Sequence, residues 1–546
     1  LLANHRQNGE YYLLQYHKKM NTRRDFIKQI GLGTAGLVVS PSLISAFPVS
    51  VKGVNNLPRS TPEAQGVSSD VLSKLFDAMD ASEVDFHSIM IMRNGYVIGE
   101  GWWAPYAPQY KHSLYSLSKS FTSCAVGLAI NEGYFSVEDN VTKFFPELLP
   151  AQVSPNLAAM KVKHLLTMNS GHKTAPGLSG ANWAKTFLDT PVEFEPGTNY
   201  VYNTSATYML SAIVTKTTGK TLIEFLTPRI LQPLKIEGAD WEVSPQGINS
   251  GGVGLRVRTE DIASFSQLYL NKGKWNGKQL IPASWVEASS TSYWDFKTNP
   301  FGGSSAKAKD DWQQGYGYQF WRTQHNGYRS DGLYGQFGII LPDENLVVAI
   351  TEESFKTQQT LDFVWDILLP GLTKSKLPAN KVAVAALTSK QNGLKVNYPA
   401  GQSSSTLANT VSGKKFVLDN NSLGAKAITF NINNNNCELI VHYDNGERKL
   451  NYGFGKWELV KNGKPMYKQL PFPVPGLPDV STEVAGMATW KDTNTLYLVD
   501  RPVETVNSDS LTCTFDGNTV KLSLLNSVVE ARKQKDPRPE LTGKAT

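Results

Sequence analysis

The chain is 546 residues long, more than one hydrophobic core usually serves, so two or more domains are expected. Hydrophobic residues at 40% and charged residues at 19% give the composition of a soluble globular protein. The formal net charge of +6 is mild, and without a dense Lys/Arg block it gives little reason to expect nucleic-acid binding.

Near the start, Thr22-Arg23-Arg24-Asp25-Phe26-Ile27-Lys28 precedes a moderately apolar stretch over residues 30–47. That stretch is rich in Gly, Ala and Ser and broken by Pro41, which disfavours a stable membrane span. The order of the Arg pair, Phe and Lys resembles a twin-arginine export signal, with a small-residue cleavage site near Ser45-Ala46. The competing reading is a basic amphipathic helix on the mature protein. Residues 1–19, ahead of Met20, read as lying upstream of the natural start, so residues 1–46 are set aside as upstream sequence and signal. Export implies the periplasm or the cell exterior, where three cysteines, Cys124, Cys437 and Cys513, are an odd number. Cys124 reads as a core thiol; Cys437 and Cys513 share one segment and could pair. The eight histidines form no zinc-ligand spacing, so neither a metal nor a cofactor is expected.

After a Pro- and Gly-punctuated entry over residues 51–69, Ser69-Asp70 opens a helix in which Leu72, Leu75, Phe76 and Met79 recur at helical spacing. Two apolar runs, residues 88–93 and 96–100, flank Asn94-Gly95, a strong hairpin signal because both residues tolerate the positive φ of a tight turn. Residues 127–230 are mostly helical in pattern. A helix through residues 163–170 is expected to end at Gly171. The turn at residues 194–199 leads into Tyr200-Val201-Tyr202-Asn203-Thr204-Ser205 and an apolar helix that ends near Gly219. Gly251-Gly252-Val253-Gly254 lacks the lysine and spacing of a phosphate loop, so close backbone packing at a site wall is expected. Strands are expected at residues 315–321, 328–341 and 346–351, with a turn at residues 342–345 and a closing helix near residues 361–369. Helix, hairpin and returning strands describe an α+β domain with an antiparallel sheet and segregated helices. Beyond Pro378 the texture changes to short alternating strands, clear in residues 427–432 and 495–499, as expected of a small all-β domain.

Chemistry concentrates in His112-Ser113-Leu114-Tyr115-Ser116-Leu117-Ser118-Lys119, followed by the apolar run at residues 124–130. On a helix, Ser116 and Lys119 share one face. A serine hydroxyl is a poor nucleophile until a neighbour takes its proton, and lysine does so only when burial lowers its pKa. The pair is therefore a candidate nucleophile and base.

Further blocks follow in order: Ser60-Thr61-Pro62-Glu63-Ala64-Gln65-Gly66, His164-Leu165-Leu166-Thr167-Met168-Asn169-Ser170-Gly171, Glu195-Pro196-Gly197-Thr198, Tyr202-Asn203-Thr204, Gly252-Val253-Gly254-Leu255 and Gly332-Leu333-Tyr334-Gly335-Gln336. From about residue 57 to 370 this ordered set resembles the penicillin-binding, serine β-lactamase-like hydrolases, most of all their 6-aminohexanoate-dimer hydrolase and esterase branch. The resemblance implies a β-lactamase/transpeptidase-like domain over residues 47–379, followed by the all-β domain over residues 380–546. It implies Ser116 as the acylated nucleophile, Lys119 as its base and Tyr202, with Tyr200 as rival, as a proton relay to the leaving group.

The third motif departs from the lactamase pattern. Where those enzymes carry Lys-Thr-Gly, or many esterases His-x-Gly, this chain has Ser330-Asp331-Gly332. A serine there offers a neutral hydrogen bond of about half the strength of a charged one, which argues against efficient penicillin hydrolysis. The strand could still act through its backbone, and Ser116 and Leu333 N–H groups are the candidate oxyanion donors; Asp331 could instead cap the turn before Gly332. The expected activity is hydrolysis of a small ester or amide. The alternatives are a peptidase or transpeptidase-like enzyme on D-amino-acid cell-wall peptides, or a non-catalytic binding protein in which the β domain contacts glycan or cell envelope. Trp102, Trp103, Tyr106, Trp183, Trp312, Tyr316 and Trp321 are candidate pocket-lining aromatics, though most such residues serve the core.

Overall fold

The computed structural model describes residues 57–294, 310–463 and 482–546; the export-signal reading lies outside the described residues. Ser68 caps the first helix, α1 (Ser69–Asp80), by accepting from the Val71 N–H, and the stripe Leu72, Leu75, Phe76 and Met79 is buried as its spacing requires. The central antiparallel sheet has six strands: β1 (Asp85–Arg93), β2 (Tyr96–Trp102), β3 (Trp321–Arg322), β4 (Tyr328–Gly332), β5 (Gln336–Leu341) and β6 (Leu346–Glu353). Their order is β2-β1-β6-β5-β4-β3, so the late strands complete the sheet begun by the first hairpin. Asn94 and Gly95 form that hairpin's turn with φ of 53° and 81°.

Both faces of the sheet are covered, which is why β1 is buried almost throughout rather than on alternate residues. Ile89 and Ile91 point into a core shared with α1, and Met90 and Met92 into a core to which the helices α2 (Ser118–Asn131), α3 (Thr204–Thr218) and α4 (Thr259–Leu270) contribute. In α2 every residue from Ser118 to Ala129 is buried, Cys124 included. No described helix is long and apolar enough to cross a membrane.

Four sequence expectations need correction. The helix before Gly171 stops at Leu166, because Met168 takes a left-handed φ of 58° and the Asn169 N–H closes onto the His164 carbonyl. Residues 328–341 are two strands rather than one, split by Leu333-Tyr334-Gly335, where Tyr334 and Gly335 have φ of 68° and 94°. Of residues 315–321 only Trp321 is in a strand, since Gly315 at φ 122° and Gln319 at φ 65° break the extended run. The chain beyond Pro378 first forms a helix, α5 (Lys381–Asn392), capped by Asn380; its Leu387 enters the α1 core and Lys390 pairs with Asp77.

The C-terminal strands are β7 (Lys415–Leu418), β8 (Ala427–Ile432), β9 (Asn436–Tyr443), β10 (Gly446–Phe454), β11 (Glu458–Gly463), β12 (Thr482–Trp490), β13 (Thr495–Pro502), β14 (Asp509–Asp516), β15 (Thr519–Asn526) and β16 (Leu541–Ala545). They pair in the order β10-β9-β8-β7-β16-β15-β14-β13-β12-β11, and β10 also pairs with β12, which closes a barrel. Alternate residues such as Phe416, Phe430, Tyr452 and Phe515 fill its interior. Cys437 and Cys513 sit in that interior as free thiols.

Candidate active site

Ser116 lies in a single 3-10 turn, Tyr115–Leu117, immediately before α2, and Lys119 sits one turn on. Ser116 is half-buried and so reachable, whereas Lys119 is 1% exposed. The Lys119 Nζ donates to Ser116 Oγ at 3.0 Å, to Thr204 Oγ1 at 3.2 Å and to the Gly252 carbonyl at 2.8 Å. Among the described residues no carboxylate forms an ion pair with it; burial lowers its pKa to about 7, and the charge of Asp331 opposes that shift only in part. A neutral amine keeps two N–H bonds, which match the Gly252 carbonyl and the Thr204 hydroxyl, and its lone pair then falls toward Ser116.

The second motif reaches this point through helix capping. Asn203 accepts from the Ala206 N–H at 3.1 Å and so starts α3, which sets Thr204 in the first turn and Tyr202 just ahead of it. The Tyr202 ring lies 4.9 Å from Lys119 Nζ and stacks on Trp321 at 5.8 Å. Its hydroxyl is engaged with Ser116, and burial, the larger effect, raises its pKa, so the phenol keeps its proton. Tyr200, the rival, is buried behind Tyr202 among Met168 and Tyr316. The glycines at residues 251–254 form the wall: a Cβ on Gly252 would stand 2.7 Å from Thr204 Cγ2 and 2.9 Å from its carbonyl, so only glycine brings this carbonyl to Lys119.

The third-motif strand β4 is divided by its own alternation. Gly332 packs directly against the nucleophile turn, where a Cβ would lie 2.1 Å from the Leu114 carbonyl, and Leu333, 43% exposed, is the next residue. Ser330 is not gathered into the site: its hydroxyl donates to the Gly338 carbonyl at 3.4 Å on the face covered by α4. Asp331 lies on the opposite face with Arg329, whose Nε donates to Asp331 Oδ2 at 3.0 Å. Burial pushes the Asp331 carboxyl up to about 6 although Arg329 pulls it down.

Sequence reasoning did not single out Thr204 or Arg329 as part of this arrangement, nor Gln319. The Gln319 amide donates to the Leu165 and Leu166 carbonyls and accepts from Thr207, joining the His164 block to α3. Among the aromatic candidates, Trp103, Tyr106 and Trp183 belong to the cores, and Tyr316 and Trp321 stand beside Tyr202. A cavity of about 490 Å³ between the central sheet and the barrel, lined by Asp85, Glu353, Trp457, Tyr497 and Arg501 among others, does not include Ser116.

A reachable serine hydroxyl against a buried lysine, with a protonated tyrosine behind them, is an arrangement for acyl transfer. The Beta-lactamase family model matches residues 74–366, more than half of the chain, and the chain belongs to that family. It is 24% identical over 248 residues to the 6-aminohexanoate-dimer hydrolase of Paenarthrobacter ureafaciens, covering 42% of this chain and 63% of that protein. It is 25% identical over 219 residues to a beta-lactamase of Escherichia coli strain K12, covering 35% of this chain and 55% of that protein. The chain thus spans less than two thirds of the length of either relative. The octameric penicillin-binding protein homologue from Pyrococcus abyssi aligns with 87% of this chain and 99% of its own at 16% identity and a TM-score of 0.44.

Proposed function

We propose that this chain is an exported serine hydrolase that cleaves an ester or amide bond through an acyl-enzyme on Ser116. The observation that carries the reading is Lys119 Nζ, buried, without a carboxylate ion-pair partner among the described residues and 3.0 Å from Ser116 Oγ. Neutral Lys119 takes the Ser116 proton as Oγ attacks the carbonyl carbon. The Ser116 and Leu333 N–H groups hold the oxyanion. As the tetrahedral intermediate collapses, Tyr202 gives its proton to the leaving oxygen or nitrogen and is reprotonated from Lys119. Water then attacks the acyl carbon by the reverse route, giving a proton to the same pair, which passes it to Ser116 Oγ as the Oγ–acyl bond breaks and the acid leaves.

Asp331 supports an uncharged substrate. The strand places a buried carboxylate near Lys119 and Tyr202, and although Arg329 offsets part of its charge, a second carboxylate from substrate is disfavoured beside it. Of the relatives, the 6-aminohexanoate-dimer hydrolase supports this reading by its name, whereas the beta-lactamase does not; the departure of the third motif from Lys-Thr-Gly sets this chain apart from the latter. Export and contact of the barrel with cell-envelope material belong to the same proposal. Ser116→Ala in the mature chain is expected to abolish turnover of a chromogenic short-chain ester with the fold intact by circular dichroism; undiminished turnover would overturn the reading.

A further inference from the structure

The residues on either side of the oxyanion donors share one feature. Tyr115, just before Ser116, has φ of 46°, and Tyr334, just after Leu333, has φ of 68°. Bulky residues rarely adopt this left-handed region, and such backbone persists only where its surroundings over-determine it. The two rings meet edge to face at 5.2 Å, and Tyr334 meets Phe355 in the same way at 5.2 Å. The rest of their surroundings comes from the barrel: Tyr334 is buried with Val506 and Val528, and Tyr115 packs on that cluster.

Polar contacts fix the same junction. The Tyr115 hydroxyl donates to Asn507 Oδ1 at 3.1 Å. Asn507 Nδ2 donates to Glu353 Oε1 at 2.6 Å, and Ser527 Oγ donates to that same oxygen at 2.6 Å. The Ser113 N–H donates to the Glu504 carbonyl at 3.1 Å, and the Ser354 N–H to the Tyr334 carbonyl at 3.0 Å. Two barrel segments, around residues 504–507 and 527–528, therefore grip the nucleophile turn and the β4–β5 turn at once, with the end of β6 between them.

We propose that the barrel completes the active site by clamping Tyr115 and Tyr334, and that Asn507 is a positioning residue that holds the Ser116 and Leu333 N–H groups at oxyanion-binding geometry. The proposal rests on the reading of Ser116 as nucleophile. It requires no barrel residue to touch substrate; the barrel acts through the backbone of two turns.

The test uses the full chain with Asn507→Ala, Tyr115→Phe, the double variant, and Val441→Ala as a control in the barrel interior, away from the junction. With p-nitrophenyl butyrate, Asn507→Ala is expected to lower kcat by about 10- to 100-fold with KM held within about twofold, the range for a small misplacement of reacting groups. The double variant should lose no more than Asn507→Ala alone, because both remove one interaction. Val441→Ala should lower the Tm while leaving kcat unchanged. Hydrogen exchange at residues 113–118 and 332–336 should accelerate in Asn507→Ala and not in Val441→Ala. Unchanged kcat together with unchanged exchange in Asn507→Ala would overturn the clamp. If the wild type shows no Ser116-dependent hydrolysis, accelerated exchange still upholds the clamp while the hydrolase reading falls, and unchanged exchange removes the clamp as well.

Discussion

Two buried basic side chains, Lys119 and Arg329, differ in what surrounds them. Lys119 is 1% exposed and surrounded by a hydroxyl, a hydroxyl and a carbonyl; Arg329 is 0% exposed and holds Asp331 together with the carbonyls of Asp311 and Arg322. Neutral oxygens do not repay the loss of water around a charge, so the lysine gives up its proton near neutrality. A carboxylate does, and Arg329 serves as an anchor for Asp331. Burial alone does not make a base; the partner decides.

Three substitutions sharpen that contrast. Lys119→Ala should cost the most, about 1,000-fold in kcat/KM for an ester, because it removes the group that activates Ser116. Tyr202→Phe should cost about 100-fold, with a larger loss for amides than for activated esters, whose leaving groups depart without a proton. Asp331→Asn should change the maximal rate least. Asp331 raises the Lys119 pKa, so its removal should move the acid limb of the pH profile to lower pH. The same change strips Arg329 of its anion and should destabilise the fold by about 3 kcal/mol in a denaturant titration. An acid limb that stays in place would break the comparison.

How much of this was legible in the sequence follows from how local each interaction is. The Asn94-Gly95 hairpin, the α1 stripe and the Ser116–Lys119 spacing are written within a few residues and read correctly. The acceptors that leave Lys119 neutral are not: Thr204 stands 85 residues away and Gly252 133 away. Residues 328–341 read as one strand, and the reversal at Leu333-Tyr334-Gly335 shows only in the pairing of β4 with β5 and the packing of Gly332 against the Leu114 carbonyl. Ser330 was placed by motif position, which cannot tell the face under α4 from the site face. α5 went unread because it has one buried apolar residue, Leu387, too few for a visible stripe. Asn507 was out of reach in principle, since nothing in a turn of the barrel announces a partner 392 residues earlier.

The protonation state of Lys119 decides whether Ser116 is activated near neutral pH. Intact-mass kinetics with a fluorophosphonate should show a single adduct on Ser116, absent in Ser116→Ala, whose rate of formation rises with pH through a midpoint of about 7. A rate that keeps rising toward the ordinary lysine range with no plateau, or an adduct on another residue, would contradict it.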